Sequence, residues 1–261
     1  MDEKIDSHIQ MPKGILKKFV DKNHKIYCYD VITKKIHQRT PSSCNTEVDW
    51  YDVNMEKELN KKIEDPFLKT VTYLERHIDK IPLVITGKNI NDIKNYFNAL
   101  FARSPKMYEE AKKGFFWPNF HTEQTNHELA VSVGIDEMEK RGLFDEFKIF
   151  FIKNQTEIPF VLPIMGMYSY TIEETGERKI ILPITPKLAI ALIDNNFVAK
   201  YTGADNLSAI WIIEKEESVN MYNRYALVQQ CKLKYGCVVS STRKQLEEII
   251  KVVREKIHFD C

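Results

Sequence analysis

The residue types that most often carry chemistry stand in this chain at spacings that build little by themselves. His121 and His127 lie near Glu123 and Glu128, a mixture that metal ions use. On a helix Glu123 shares a face with His127, but no second His falls three or four residues from it. A solvated helix face accounts for the group, and no metal site is assigned. Cys28, Cys44, Cys231, Cys237 and Cys261 include no Cys-x-x-Cys pair, and neither Cys231 nor Cys237 has zinc-finger spacing or a nearby His. They read as reduced structural thiols. Cys261 is not followed by the three residues of a prenylation box. Gly87, Gly114, Gly134 and Gly166 occur singly, so the chain carries neither a glycine-rich phosphate loop nor a dinucleotide fingerprint. Lys13, Lys17 and Lys18, and Lys232 with Lys234, read as ordinary surface charge. The sequence names no cofactor.

Composition narrows the partners. Thirty-eight Lys and Arg against thirty-seven Asp and Glu leave a net charge of +1, which provides no bulk field to gather nucleic acid or an anionic membrane. With 43% hydrophobic and 29% charged residues in 261, the chain is in the globular range and long enough for a large core. It reads as one domain, 1–261, or as two closely packed lobes. Residues 1–142 would hold a small N-terminal β element and a helical lobe, and 143–261 a sheet-rich lobe. Met1 to Ile9 carries Asp2, Glu3 and Asp6 without an apolar run, unlike a secretory leader, and no stretch approaches the ~20 apolar residues of a membrane span. An odd cysteine count without a disulfide framework points to the cytoplasm.

The elements follow from periodicity. Lys25–Asp30 alternates as a half-buried strand, and Lys35–His37 is placed to pair with it across a turn at Val31–Lys34. Helical patterning runs from Asn54 to Gly142. Asp65-Pro66 reads as a cap with proline at the first helical position, opening a piece with Phe67, Leu68, Val71, Leu74 and Ile78 on one side. Ile90, Ile93, Phe97, Leu100 and Phe101 form another stripe, an aromatic stretch surrounds Pro118, and a helix from about Thr122 stops at Gly142. Phe147–Ile152, Pro159–Leu162, Lys179–Leu182, Leu188–Ile193 and Phe197–Tyr201 read as strands, with a hairpin turn at Glu174–Glu177. A helix near Val219–Lys232, a strand at Cys237–Val239 and a helix from Thr242 complete the chain. The fold class is α+β: a helical half on a mixed or antiparallel sheet, with a small N-terminal β element.

Several of these residues also form a pattern. His8-Ile9-Gln10-Met11-Pro12 with Leu16 and Phe19 resembles the opening signature of a mostly bacterial family known as domain of unknown function 4238. Tyr27-Cys28-Tyr29-Asp30 is similar to its first strand, Asp49-Trp50-Tyr51 to its aromatic pair, and Ile63-Glu64 to its helical glutamate. Arg103-Ser104-Pro105, Leu182-Pro183-Ile184-Thr185-Pro186, and Asn220 with Asn223 continue the likeness in order, over residues 8 to 240. One motif departs. Pro163-Ile164-Met165-Gly166 follows the Pro159–Leu162 strand where the family has Ser-Asp-Asn-Pro, so any activity resting on that aspartate is not carried over. Some members are thought to sit among bacterial anti-phage defence genes.

The resemblance singles out His8, Tyr51, Glu64 and Arg103, with Asp49, as shared polar positions. Gathered in one cleft, imidazole, carboxylate and guanidinium would activate water and neutralise a phosphate. Sealed in the interior, Glu64 and Arg103 would instead form an ion pair that fixes two helices. Two functions follow: a non-catalytic sensor or interaction protein, with a protein partner or a second copy of the chain as its ligand, or a hydrolase acting on nucleic acid or nucleotides. The lost polar triplet favours the first, and the shared His, Glu and Arg the second.

Overall fold

A computed structural model describes residues 6–8, 10–44, 46–48, 53–80, 83–105, 107, 109, 123–142, 144–173, 175–200 and 209–256. Along the chain these form β1 (Asp6–His8), α1 (Lys13–Leu16), β2 (Ile26–Asp30), β3 (Lys35–Arg39), β4 (Thr46–Val48), α2 (Val53–Leu59), α3 (Asp65–His77), α4 (Gly87–Ala102) and α5 (Glu123–Arg141). There follow β5 (Phe147–Asn154), β6 (Leu162–Pro163), β7 (Tyr168–Ile172), β8 (Glu177–Thr185), β9 (Leu188–Asp194), β10 (Ala209–Ile213), α6 (Glu216–Leu233), β11 (Cys237–Ser240) and α7 (Arg243–Lys256). The α+β class stands.

Two compact units result. Met1–Pro12 and Asn45–Asp145 contribute to one, Lys13–Cys44 and Glu146–Cys261 to the other. The sequence reading puts the N-terminal β element with the helical lobe 1–142. The fold corrects this: β2 pairs antiparallel with β11, so the β2–β3 hairpin joins the sheet-rich unit and the two units interleave along the chain.

In the first unit, α2 and α3 join without a break through a π-helical turn, Asn60–Glu64. Asp65 is therefore not the cap the sequence suggests but a helical residue, its N–H bonded to the Asn60 carbonyl five residues back. The wider turn explains how Pro66 is tolerated, since a regular α-turn would drive its ring into the carbonyl four residues earlier. Thr86 caps α4 in a reciprocal box with Asn89. Asn89 also donates to Thr70 (3.0 Å), which donates to Asp92 (3.0 Å), tying α3 to α4. The α5 helix ends at Gly142, whose φ of +56° favours a residue without Cβ. The aromatic stretch at 115–120 lies outside the described residues.

The second unit holds a five-stranded sheet, β10-β5-β9-β8-β7, and a four-stranded one, β3-β2-β11-β6. Among the described residues only β10–β5 is parallel, so the larger sheet is mixed. Tyr29, Phe160, Ile181, Ala189, Ala191, Val219 and Leu246 belong to one continuous core. Leu16 and Phe19 are fully buried, so this part of the N-terminal segment is docked. The expected strand at Phe197–Tyr201 is instead a 3₁₀ turn, Asn195–Lys200. Asp194 accepts the Asn196 N–H (2.8 Å), a side-chain turn that bends the chain away from the sheet. Pro159–Val161 is extended but unladdered. Asn223 holds it with both ends of its amide, accepting from Val161 N–H (2.9 Å) and donating to the Pro159 carbonyl (2.9 Å).

Gly236 leads into β11 with φ +67°, and a Cβ there would meet Ile164 Cγ2 at 2.4 Å. Gly236→Ala is expected to lose about 1–3 kcal/mol in urea denaturation, from backbone strain and overpacking together. An unchanged midpoint would mean that the turn into β11 adapts freely.

Candidate functional site

The four residues singled out by sequence do not all gather where their side chains can be compared. His8 ends β1 and pairs with Thr46 of β4; its side chain, like all of Tyr51 and Asp49, lies outside the described residues. Glu64 and Arg103 do meet. Glu64 closes the π turn, Arg103 follows α4, and Arg103 Nη1 lies 2.7 Å from Glu64 Oε1. Both side chains are more than nine-tenths buried. The same Nη1 donates to the Gln10 carbonyl at 3.3 Å.

Tyr96 of α4 completes this network. Its ring stacks on Phe67 at 3.8 Å between centroids, and its hydroxyl donates to Met11 Sδ at 3.5 Å. Burial, with the Glu64 charge adding, pushes the Tyr96 hydroxyl well above its ordinary value, so it stays protonated. The arrangement pairs two opposite charges with each other and ties Arg103 to backbone through Nη1, while Arg103 Nε is buried without a hydrogen-bond partner among the described residues. A carboxylate buried and engaged this way offers no open face to an incoming water, and the geometry is that of a structural lock.

The sheet-rich unit offers a more open feature, which sequence reasoning missed. A groove of about 1160 Å³ runs beside α6, walled by β7 on one side and the end of β10 on another. Tyr170 of β7 stacks on Tyr225 of α6, rings 4.6 Å apart and 3° from parallel. Tyr222 sits behind them and is buried. Burial raises its hydroxyl to about 12; the hydrogen bond with Tyr170 opposes the rise and the charge of Glu177 adds to it. Burial likewise pushes Tyr170 upward. Lys179 of β8, paired at 3.0 Å with the fully buried Glu177, reaches the groove with its ammonium 6.0 Å from the centre of the Tyr170 ring. Three of the exposed large apolar side chains, Ile212, Met221 and Tyr225, line this groove. Alternating tyrosines at 168 and 170 were the available signal, but short β7 lacked the long apolar run that marks its neighbours.

The apolar turn at Pro163–Met165 is sealed. Leu162 and Pro163 pair with Val239 and Val238, and Ile164 N–H donates to the Cys237 carbonyl (2.9 Å). Leu162, Ile164 and Met165 are buried. The Asn223 clamp lies immediately upstream of this apolar turn.

Comparison with known proteins agrees with the resemblance. The family described as "Protein of unknown function (DUF4238)" matches residues 11–243. The chain belongs to that family. No curated protein and no solved structure matches it. Family membership names a relationship without a reaction. Among the described residues no helix is long and apolar enough to cross a membrane.

Two tests follow. Arg103→Met or Glu64→Leu alone strands a buried charge and is expected to cost about 3–5 kcal/mol, whereas the double substitution should recover most of that loss. Purely additive losses in a denaturation cycle would contradict a coupled pair. The second concerns pH. Tyr222 ionises near 10 when unfolded and near 12 when folded, so its contribution is complete below pH 10 and falls as pH rises toward 12. Stability should decline there by roughly 1.4 kcal/mol per pH unit for each such tyrosine, and Tyr222→Phe should flatten the slope in alkaline melts.

Proposed function

We propose that this protein is a non-catalytic interaction protein whose ligand is an extended segment of a partner polypeptide, bound along β7 in the tyrosine groove. The observation that carries the reading is the conjunction of a strand edge with no second strand on it among the described residues, engaged at Ser169 by the Gln229 side chain that a ligand would displace, with exposed apolar side chains. Among the described residues β7 pairs only with β8. Ser169 N–H donates sideways to Gln229 Oε1 (2.6 Å), so this backbone edge faces away from β8, and Thr171, two residues on, faces the same way. An added strand gains affinity from such backbone groups and specificity from pockets for alternate side chains. Met221, Tyr225 and Ile212 supply the apolar wall, and tyrosine suits it because its ring contributes large area at small entropic cost.

The hydrolase reading has less behind it. Glu64 is engaged by Arg103 and buried, and the apolar turn at Pro163–Met165 occupies the place of the family's polar triplet. The odd cysteine count without a disulfide framework supports a cytoplasmic protein, and the family resemblance supports a bacterial sensor associated with anti-phage defence, for which recognition of a foreign polypeptide would be the task.

Selection from a displayed library of linear peptides, followed by calorimetry on the best binder, tests the proposal. Tyr225→Ala or Met221→Asp should weaken binding about tenfold or more. N-methylation of the peptide at alternate positions should weaken it comparably, because it removes the donors that face β7. Failure to enrich any peptide, or binders indifferent to both substitutions, would refute the reading. Self-association lost in Tyr225→Ala would assign the groove to a second copy of the chain. Nucleotide hydrolysis abolished by Glu64→Gln would favour the enzyme.

A further inference from the structure

Cys28, Cys44 and Cys237 are separated by 16 and 193 positions, yet their three Sγ atoms lie within 4.8 Å of one another. The fold gathers them in an explicable way. Cys28 is in β2 and Cys237 in β11, and the register Val239↔Cys28 and Cys237↔Asp30 puts both cysteines on one face of the four-stranded sheet, diagonally across the ladder. After β3 the 3₁₀ turn Pro41–Ser43 leads the chain to Cys44, whose Sγ comes to 3.4 Å from that of Cys28. Cys28 and Cys44 are buried and Cys237 is half-buried as a residue.

We propose that these three cysteines form a thiolate site for a soft divalent metal ion, zinc, with His37 as the fourth ligand. Tetrahedral zinc with Zn–S bonds of ~2.3 Å requires sulfurs about 3.8 Å apart, so each thiol needs a movement on the order of 1 Å or less. The separation of Cys28 and Cys44 is far from the ~2.05 Å of a disulfide. His37 stands directly opposite Cys28 in the β2–β3 ladder, so its side chain leaves the sheet on the same face; it is half-buried, and its ring, which lies outside the 4.8 Å group of sulfurs, would have to turn toward them to bind. Three thiols and an imidazole make a Cys₃His donor set, which zinc takes in closed structural centres.

The proton balance is simple. Zn²⁺ displaces three thiol protons to give a tris-thiolate of charge −1, and neutral His37 adds a nitrogen without changing that charge. Without metal the cluster is a set of neutral thiols. Cys237 is raised by its hydrogen bonds to Cys28 and Cys44 and by burial. In Cys28 the hydrogen bond with Cys237 lowers the thiol, but the contact with Cys44 and burial outweigh it and the net direction is upward. Arg39 opposes the rise in Cys28 and would offset the charge of the metal-bound state; its Nη1 donates to the carbonyl of Ser43, next to Cys44 (3.2 Å). The site would staple the β2–β3 hairpin and its following turn to a strand near the other end of the chain. Metal affinity and folding stability would therefore be linked.

The test is titration of the full-length reduced protein with Co²⁺ as spectroscopic probe, then displacement by Zn²⁺. One Co²⁺ per chain should give thiolate-to-metal charge-transfer bands with the d–d bands of a tetrahedral centre. Zn²⁺ should release about three protons per ion near neutral pH and raise the melting temperature, reversed by a chelator. Cys28→Ser, Cys44→Ser and Cys237→Ser should each weaken binding by roughly a hundredfold, while Cys231→Ser, outside the cluster, should not. His37→Ala should alter the d–d bands and keep the charge-transfer bands. Absence of those bands when thiol titration in denaturant confirms reduced cysteines would overturn the proposal. So would Co²⁺ binding that survives Cys28→Ser, or ready formation of a Cys28–Cys44 disulfide in a protein that ignores Zn²⁺. The wild-type melting shift decides the matter if a serine variant does not fold.

Discussion

The sheet-rich unit depends on the two-sided hydrogen bonding of β11. Four residues, Cys237–Ser240, pair with β2 on one edge and, through Val238 and Val239, with β6 on the other. This strand brings a hairpin from the first forty residues into a unit otherwise made from the last hundred or so. A contact of such long sequence separation costs loop-closure entropy before it returns any stability, so it needs strong local partners. It has them. Val238 and Val239 are buried, Ile164 N–H bonds the Cys237 carbonyl, and Gly236 carbonyl accepts from Val31 N–H at 3.2 Å. The same pairing places Cys237 diagonal to Cys28.

Buried charge in this protein is matched locally. Glu64 with Arg103, and Glu177 with Lys179, each place a carboxylate and a cation in the interior at hydrogen-bonding distance. Such pairs contribute modestly to net stability, because desolvation offsets most of the Coulomb attraction, but either partner alone is strongly unfavourable. Their value is in excluding other arrangements. Arg103 reaches both Glu64 and the Gln10 carbonyl, so the exit of α4, the π turn and the segment after β1 share one geometry. Within β8, Glu177 and Lys179 alternate with outward-facing Arg178, and only the register with β7 and β9 keeps the pair inside together.

Much of this is legible in the sequence where one face of an element is buried. The stripe Leu246, Ile249, Ile250 and Val253 marks α7, and Thr242 accepts the Gln245 N–H at 3.4 Å as its cap. The Lys25–Asp30 alternation becomes β2, and the ion pair of Glu64 with Arg103 forms between the helices that carry them. Three kinds of feature are hidden. The π turn reflects a compromise between Pro66 and continuation of the helix, which a 3.6-residue period cannot show. The 3₁₀ turn at Asn195–Lys200 is set by Asp194 and the Asn196 N–H and looks apolar enough to be a strand. The cysteine cluster depends on strand register across 209 positions, from Cys28 to Cys237, which no spacing rule reaches.

The α6 helix gives the groove its definition, because one helix performs two tasks on opposite sides. Val219, Tyr222, Asn223, Ala226, Leu227, Gln230 and Cys231 are its buried residues, while Met221 and Tyr225 are exposed. On the buried side Asn223 clamps Pro159 and Val161, and Tyr222 packs edge-on against Phe160, ring centroids 6.2 Å apart. These contacts fix the rotation of the helix about its axis. That rotation in turn sets where Tyr225 meets Tyr170 and how Gln229 reaches Ser169 N–H. A surface whose aromatic wall is held by a buried amide clamp loses little side-chain freedom when it is covered, and such preorganisation lowers the entropic cost of binding. The apolar turn at Pro163–Met165 adds to this rigidity, since Ile164 packs against the start of β11 where a hydrated polar triplet would need solvent or partners. The packed turn therefore firms the scaffold behind the groove.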